Sequence, residues 1–172
     1  GPSKIQFSKE MKVKNDVSGD QMMNEIKKTL PVDIAVCVAA ISDFKPKKNN
    51  KNKIKKEEGV FSFIEFEKNL DILSFLGKNN KSRPKIVVGF SAETEDLINN
   101  SLKKLKNKYC DLIIANDVSK KNLGFYSDYN KVFIIDKKGE IESIPKNKKS
   151  FIASIIAKKI VDKFLINDRN TN

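Results

Sequence analysis

The apolar positions of this chain fall into two kinds of stretch, continuous and helically spaced. Ile34-Ala35-Val36-Cys37-Val38-Ala39-Ala40, Ile86-Val87-Val88-Gly89-Phe90 and Leu112-Ile113-Ile114-Ala115 are unbroken runs. Each predicts a strand covered on both faces. Between and around them the spacing is that of amphipathic helices. Ser18 is an N-cap candidate ahead of Met22, Met23, Ile26 and Leu30, and Pro31 stops that helix. Leu70 to Gly77 reads as a short helix with a glycine stop. Leu97, Ile98, Leu102, Leu105 and Tyr109 mark one face of a third helix, and Phe151, Ile152, Ile155, Ile156, Ile160 and Phe164 one face of a fourth. Strict alternation is found at Met11–Lys14, which reads as a short strand, and at Phe61–Phe66, which reads as an antiparallel excursion. Residues 131–136 and 140–144 flank Lys137-Lys138-Gly139 as a hairpin.

Helices alternating with wholly apolar strands predict an α/β fold: a Rossmann-like, doubly wound, mostly parallel sheet with an antiparallel hairpin excursion. With no repeat and no linker, residues 1–166 read as a single domain and 167–172 as a polar tail. Ligands of such sheets bind beyond the carboxy-terminal ends of the strands. Three apolar runs end there in polar clusters, Ser42/Asp43, Ser91/Glu93 and Asn116/Asp117.

Composition narrows the chemistry. The 172 residues hold no histidine, which excludes Ser-His-Asp and Cys-His nucleophiles and imidazole-bound metals. Two cysteines, Cys37 and Cys110, fit neither a zinc pattern nor a disulfide framework, and read as buried thiols of a cytoplasmic protein. No apolar run is long enough to cross a bilayer. The net charge of +12 is local: residues 45–56 contain seven lysines and no acid, and the rest of the chain has 27 basic against 22 acidic residues. Such a loop suits a nucleoside triphosphate or a nucleic-acid backbone, or is simply a solvated lysine loop.

Several strand ends, taken together, resemble one family. Ala39-Ala40-Ile41-Ser42-Asp43-Phe44-Lys45-Pro46 is similar to the "AAVSDYRP" turn of phosphopantothenate–cysteine ligase, the C-terminal ligase domain of the bifunctional phosphopantothenoylcysteine synthetase/decarboxylase. Lys53-Ile54-Lys55-Lys56 resembles its "KIKK", Lys68-Asn69-Leu70-Asp71-Ile72-Leu73 its "KNPDIL", and Val88 to Thr94 its "VGFAAET". Asp111 to Ser119 resembles "DLIVANDVS", and Gly124-Phe125 through Asp128, Asn130 and Val132 its continuation. The family's N-terminal glycine-rich βα unit has no counterpart here; the resemblance places Gly1-Pro2-Ser3 just after the family's second strand. Leu70 stands where the family has proline.

The resemblance implies a two-step ligation in coenzyme A biosynthesis. The carboxylate of 4′-phosphopantothenate attacks the α-phosphate of CTP, giving an acyl-cytidylate and pyrophosphate. The amine of cysteine then attacks the acyl carbon and releases CMP. Bringing an anion onto a polyanion calls for positive charge and Mg²⁺ more than for a general base. Lys53 and Asn116 are the catalytic candidates the resemblance supports. Cys37, Val38, Ala39, Ala40, Asp43, Leu70, Asp71, Ile72, Leu73, Phe90, Lys104 and Lys108 are its nucleotide-binding candidates, with Asp43 also the metal ligand. Lys104 and Lys108 share a helical face but sit near that helix's carboxy end, which in a simple doubly wound sheet points away from the site. The resemblance further implies a homodimer and a fused or separate flavin-dependent decarboxylase as partner. Two alternatives stay open: an ATP-dependent version of the same ligation, and a non-catalytic basic module binding RNA through residues 45–56. Against the latter, that loop lacks the interleaved aromatic residues of a stacking platform. No nucleic acid and no membrane are therefore expected as partners.

Overall fold

A computed structural model describes residues 7–16, 18–47, 64–78, 81–118 and 127–169. In chain order its elements are α1 (Gly19–Thr29), β1 (Ile34–Cys37), β2 (Phe44–Pro46), β3 (Phe66–Lys68), α2 (Ile72–Gly77), β4 (Ile86–Glu93), α3 (Leu97–Asn107), β5 (Leu112–Asp117), β6 (Tyr129–Asp136), β7 (Ile141–Lys148) and α4 (Lys149–Arg169). They divide into two units, one of residues 1–28 and 39–71, the other of 29–38 and 72–172.

The larger unit is built on a five-stranded sheet in the order β1-β4-β5-β6-β7. β1 and β4 are parallel, as are β4 and β5; β5, β6 and β7 pair antiparallel. The period-2 rule then sorts the faces. Ile86, Val88, Leu112, Ile114, Val132, Ile134 and Ile144 meet Ile152, Ile156 and Ile160 of α4 in one core cluster. On the opposite face Gly89 lies beneath Leu73 of α2 and beside Ile113. This is the doubly wound, Rossmann-like α/β architecture that the alternation of elements predicts.

The connection from α3 to β5 is capped by the chain itself. Tyr109 N–H donates to the Lys106 carbonyl at 3.2 Å, and Cys110 N–H to the Leu105 carbonyl at 3.0 Å. That is a Schellman pair, with Tyr109 in the left-handed region (φ 55°) where glycine is usual. Gly77 makes the tightest approach nearby: a Cβ there would sit 1.8 Å from the Lys108 carbonyl oxygen.

Within the smaller unit, β2 and β3 form an antiparallel pair, Phe44 opposite Lys68. α1 begins with the predicted cap, in reciprocal form. Ser18 Oγ accepts from Gln21 N–H at 3.2 Å, while Gln21 Oε1 accepts from Ser18 N–H at 3.1 Å. Lys45 Nζ reaches Asp20 Oδ2 at 2.6 Å and Glu67 Oε1 at 3.5 Å. The hydrogen bond to Asp20 raises the Lys45 pKa.

Six expectations change. Met11–Lys14 forms no strand, since among the described residues no strand pairs with it. β1 is four residues long and half-exposed rather than covered on both faces, since it is the edge of the sheet. β4 runs on to Glu93 instead of turning at Ser91. Tyr109 lies past the end of α3 and is exposed, not on its apolar face. Phe151 is exposed, and the backbone of α4 stays helical to Arg169, into the segment read as a tail. The antiparallel excursion is found at β2–β3; Phe61 and Phe63 lie outside the described residues.

Candidate functional site

In the larger unit the carboxy-terminal strand ends form a step. Cys37, the last residue of β1, pairs with Gly89, whereas β4 continues for four more residues, Phe90 to Glu93. β5 follows β4 to the end, with Phe90 beside Ile114, Ser91 beside Ala115, Ala92 beside Asn116 and Glu93 beside Asp117. A ledge of β4 therefore projects beyond β1, flanked on its other side by the polar end of β5.

Two features of that step suit a ligand. Gly89 has no side chain, and Leu73 and Ile113 close over it; a Cβ would come within 2.6 Å of Leu73 and 2.8 Å of Ile113. The backbone is thus approached closely where β1 stops. Second, Asn116 Oδ1 is buried and has no hydrogen-bond partner among the described residues. A buried carbonyl oxygen without a donor is costly, on the order of 1–3 kcal/mol, and at a strand end it is positioned to accept from a ligand N–H or O–H. Ser91, fully buried, donates to Glu93 Oε1 at 2.7 Å and holds that carboxylate at the end of β4.

The candidates of this unit are placed as follows. Cys37 ends β1 half-buried, and Val38 beyond it is exposed. Ile72 is buried and Leu73 half-buried in the first turn of α2, a helix of only six residues. Phe90 packs against the α4-side core, the role most strand-end phenylalanines have. Asn116 lies on the same face as Phe90, since both alternate with core residues of that face. Lys104 and Lys108 stand apart: α3 carries them toward the amino-terminal edge of the sheet, where Lys108 caps the helix beside Gly77. Asp111, at that edge, is five residues down β5 from Asn116, about 16 Å of strand.

In the smaller unit, Ala39 and Ala40 are exposed, and the Ala39 carbonyl accepts from Ile41 N–H at 3.1 Å. Asp43 is exposed just before β2, and its carbonyl accepts from Asn69 N–H at 2.8 Å. Leu70 N–H donates to Asn69 Oδ1 at 3.1 Å; Leu70 and Asp71 are exposed. Asp43 and the Asn69-Leu70 turn are thereby tied together. Lys53 and most of the lysine loop lie outside the described residues. Among the described residues no three Cys, Asp or Glu side chains gather as a metal cage. Magnesium on a nucleotide needs no such cage, because it takes one or two carboxylates and completes its shell with phosphates and water.

Sequence reasoning missed the part played by Gly89, whose signal was present as a lone glycine inside an apolar strand. It also missed the polar knot at the other edge, where Arg83 bonds the carbonyls of Gly77, Pro84 and Tyr109 and the carboxylate of Asp111. Cys110 is buried and Cys37 half-buried, and the two are not joined to each other. Burial, with lesser contributions from Cys37 and Asp111, pushes the Cys110 thiol up to about 12.

A doubly wound α/β sheet with a stepped carboxy-terminal edge and an orphaned acceptor places the chain among Rossmann-like α/β proteins, whose small ligands bind beyond the carboxy-terminal strand ends. Residues 1–164 match the family of the DNA/pantothenate metabolism flavoprotein C-terminal domain, and the chain belongs to that family. It is 42% identical over 113 residues to the coenzyme A biosynthesis bifunctional protein CoaBC of Bacillus subtilis (strain 168), covering 66% of this chain and 27% of that protein. It is 36% identical over 129 residues to a cysteine/cysteine sulfinic acid decarboxylase of an unknown prokaryotic organism, covering 75% of this chain and 35% of that protein. The chain thus spans about a third of the length of these relatives. A crystal structure of the C-terminal domain of CoaBC superposes with a TM-score of 0.65 at 28% identity, covering 91% of this chain and 66% of that one. Among the described residues no helix is long and apolar enough to cross a membrane.

Proposed function

We propose that this chain carries out the ligase step of coenzyme A biosynthesis, joining 4′-phosphopantothenate to cysteine through a CTP-derived acyl-cytidylate. The observation that carries the reading is the orphaned Asn116 Oδ1 at the end of β5, inside the segment that resembles the family's "DLIVANDVS". In this reading Asn116 accepts a hydrogen bond from the nucleotide or from the incoming amine. Main-chain groups of Cys37, Val38, Ala39 and Ala40, and the Leu70–Leu73 turn, hold the base and ribose. Phe90 shapes the wall behind them. Lys53 offsets the charge that builds up as the carboxylate attacks the α-phosphate. Lys104 and Lys108, carried by α3 to the opposite edge, take no part in this arrangement, and Asp43 would hold Mg²⁺, whose charge when bound screens the phosphates. The homodimer and a flavin-dependent decarboxylase, fused or separate, belong to the same proposal, as does a cytoplasmic setting.

Calorimetric titration of CTP, with ATP as control, in the presence of Mg²⁺ tests it. Selective binding of CTP is expected, with a roughly tenfold loss in Asn116→Ala, the equivalent of one hydrogen bond. Equal binding of ATP moves the proposal to the ATP-dependent ligation. Unchanged CTP affinity in Asn116→Ala refutes the role given to that residue, and absence of binding to either nucleotide refutes the reading for this chain.

A further inference from the structure

The face of the larger unit's sheet that α4 covers carries a second polar place at its carboxy-terminal edge, one step along from Asn116. Asn116 lies beside Val132 of β6, and Val132 packs in the same cluster as Ile152, in the first turn of α4. Burial alternates along β6: Asn130, Val132 and Ile134 are buried, Lys131 and Phe133 half-buried. Asn130 therefore shares the α4-side face with Val132. β7 takes up one extra residue here, since Val132 lies opposite Ile144 and Asn130 opposite Asn147, while β6 stays regular. α4 starts two residues after Asn147, and its first N–H, that of Lys149, donates to the Asp128 carbonyl at 2.8 Å. Asn130 thus sits at the level where α4 begins.

Asn130 is 8% exposed. Its Oδ1 accepts from Lys131 N–H at 2.9 Å, which leaves Nδ2 as a donor with no acceptor among the described residues. A buried amide donor without an acceptor is as unusual as the orphaned oxygen of Asn116. The main-chain donors that come next are the N–H groups of Ser150 and Phe151. The first N–H groups of a helix find no acceptor within it, and the first turn of this 21-residue helix holds no acid to take them. Ser150, exposed, adds a hydroxyl. The charged side chains of the adjoining segments are Asp128, Lys131, Lys146, Lys148 and Lys149; Lys131 and Lys146 lie over the rings of Phe133 and Tyr129. Donors rather than net charge select the ligand. An amide Nδ2, two main-chain N–H groups and a hydroxyl suit an oxyanion.

We propose that Asn130 and the amino-terminal turn of α4 hold the phosphate of a phosphate monoester, and that this is the phosphate end of 4′-phosphopantothenate. The step along β6 from Val132 to Asn130 is about 7 Å, short enough for one small molecule to reach from this place to Asn116. The identity of the ligand rests on the ligase reading; the phosphate site does not.

The test is an amide NMR titration of the 172-residue chain with 4′-phosphopantothenate, pantothenate and inorganic phosphate as probes. Shifts are expected at the Asn130 side-chain amide and at the main-chain amides of Ser150 and Phe151 with both phosphate-bearing probes, and not with pantothenate. Ser150→Asp puts a carboxylate where the phosphate would sit, and an acid in the first turn favours the helix, so the variant folds at least as well. It should weaken both phosphate-bearing probes at least tenfold. Lys158→Ala, the same change of charge on the exposed side of α4, should leave them unchanged. Pantothenate shifting the same amides, full affinity in Ser150→Asp, or no shift at the three positions with millimolar inorganic phosphate would each overturn the proposal, whether or not CTP binds. Equal losses in Ser150→Asp and Lys158→Ala would overturn it too, by tracing the binding to overall charge. Shifts with inorganic phosphate but none with 4′-phosphopantothenate would keep the phosphate site and overturn the identity given to its ligand, and the ligase reading with it.

Discussion

Replacing Asp111 by alanine should be among the most damaging single changes in the larger unit, and the geometry says by how much. The side chain is 6% exposed. It accepts two short hydrogen bonds, from Val87 N–H and from Arg83. Truncation leaves the Val87 N–H buried without that partner, at a cost of about 1–3 kcal/mol. It also removes the anion beside Arg83; breaking a buried ion pair from one side costs about 3–5 kcal/mol. Arg83 is itself 24% exposed and keeps its three carbonyl acceptors, so its charge is not stranded. The two estimates overlap, and about 3–4 kcal/mol is expected. Asp111→Asn is the informative comparison. Its amide oxygen can take the place of Oδ2 and keep both short bonds, so only the charge is lost, about 1–2 kcal/mol. Chemical denaturation of the three proteins measures both numbers, with an unchanged m-value as the check that the unfolded state is the same. If alanine costs no more than asparagine, the Val87 hydrogen bond carries nothing, and the account of this knot is wrong.

Gly77→Ala should destabilise by about 3 kcal/mol or more, because its Cβ would meet the Lys108 carbonyl, which is backbone and cannot rotate away. Gly89→Ala meets only side-chain atoms of Leu73 and Ile113 and should cost about 1–2 kcal/mol; equal melting temperatures for the two variants would contradict this ordering. Burial raises the Asp136 pKa, but the N–H groups of Glu140 and Lys138 and the charge of Lys163 more than offset it, so the net shift is downward from 3.8. The folded state then binds fewer protons than the unfolded chain, and this contribution is complete above the ordinary carboxylate range and lost as pH falls through the depressed value. Asp136→Asn should flatten the acid limb of stability against pH, and an unchanged acid limb would show that Asp136 does not titrate as described. Cys110, with its thiol pushed up to about 12, should resist iodoacetamide at pH 8 while Cys37 reacts, as peptide mass spectrometry would show; comparable rates would mean that β5 opens readily.

The strands and helices of the larger unit were legible because their signals are local. Ile86–Val88 and Leu112–Ala115 are buried on both faces, as continuous apolar runs predict. Ile34–Ala40 carries the same signal and gives an edge strand of four residues, because sequence pattern reports the apolarity of a strand but not how many neighbours it has. Tyr109 shows a second limit. Its spacing from Leu105 continues the helical face, yet the Schellman turn places it outside α3, and nothing in a tyrosine announces a left-handed residue. For the candidate site, polar residues at strand ends were visible in advance. The step between β1 and β4 was not, because it depends on register, and register is a property of two segments at once. The same holds for Lys104 and Lys108, which share a helical face in the sequence but are carried to the far edge by the direction of α3.

The two edges of the sheet are mechanically linked. At the amino-terminal edge Asp111 N–H donates to the Val87 carbonyl at 2.8 Å, and its carboxylate accepts from the Val87 N–H. One residue therefore grips one position of β4 through both main chain and side chain, while Arg83 anchors that carboxylate to three carbonyls. This fixes which residue of β4 lies beside which residue of β5. In a sheet a slip of one residue sends every side chain to the opposite face. With Val87 held beside Asp111, Asn116 must come beside Ala92 and share the face of Phe90, and Gly89 must come beneath Leu73. Isoleucine and valine on both faces of β4 and β5 would tolerate the slipped pairing almost as well, since they distinguish registers only by shape. The buried carboxylate does not tolerate it, because a slip would leave it facing apolar side chains. The polar knot thus supplies the specificity that the apolar strands lack, and it sets the position of the orphaned Asn116 oxygen without touching the site itself.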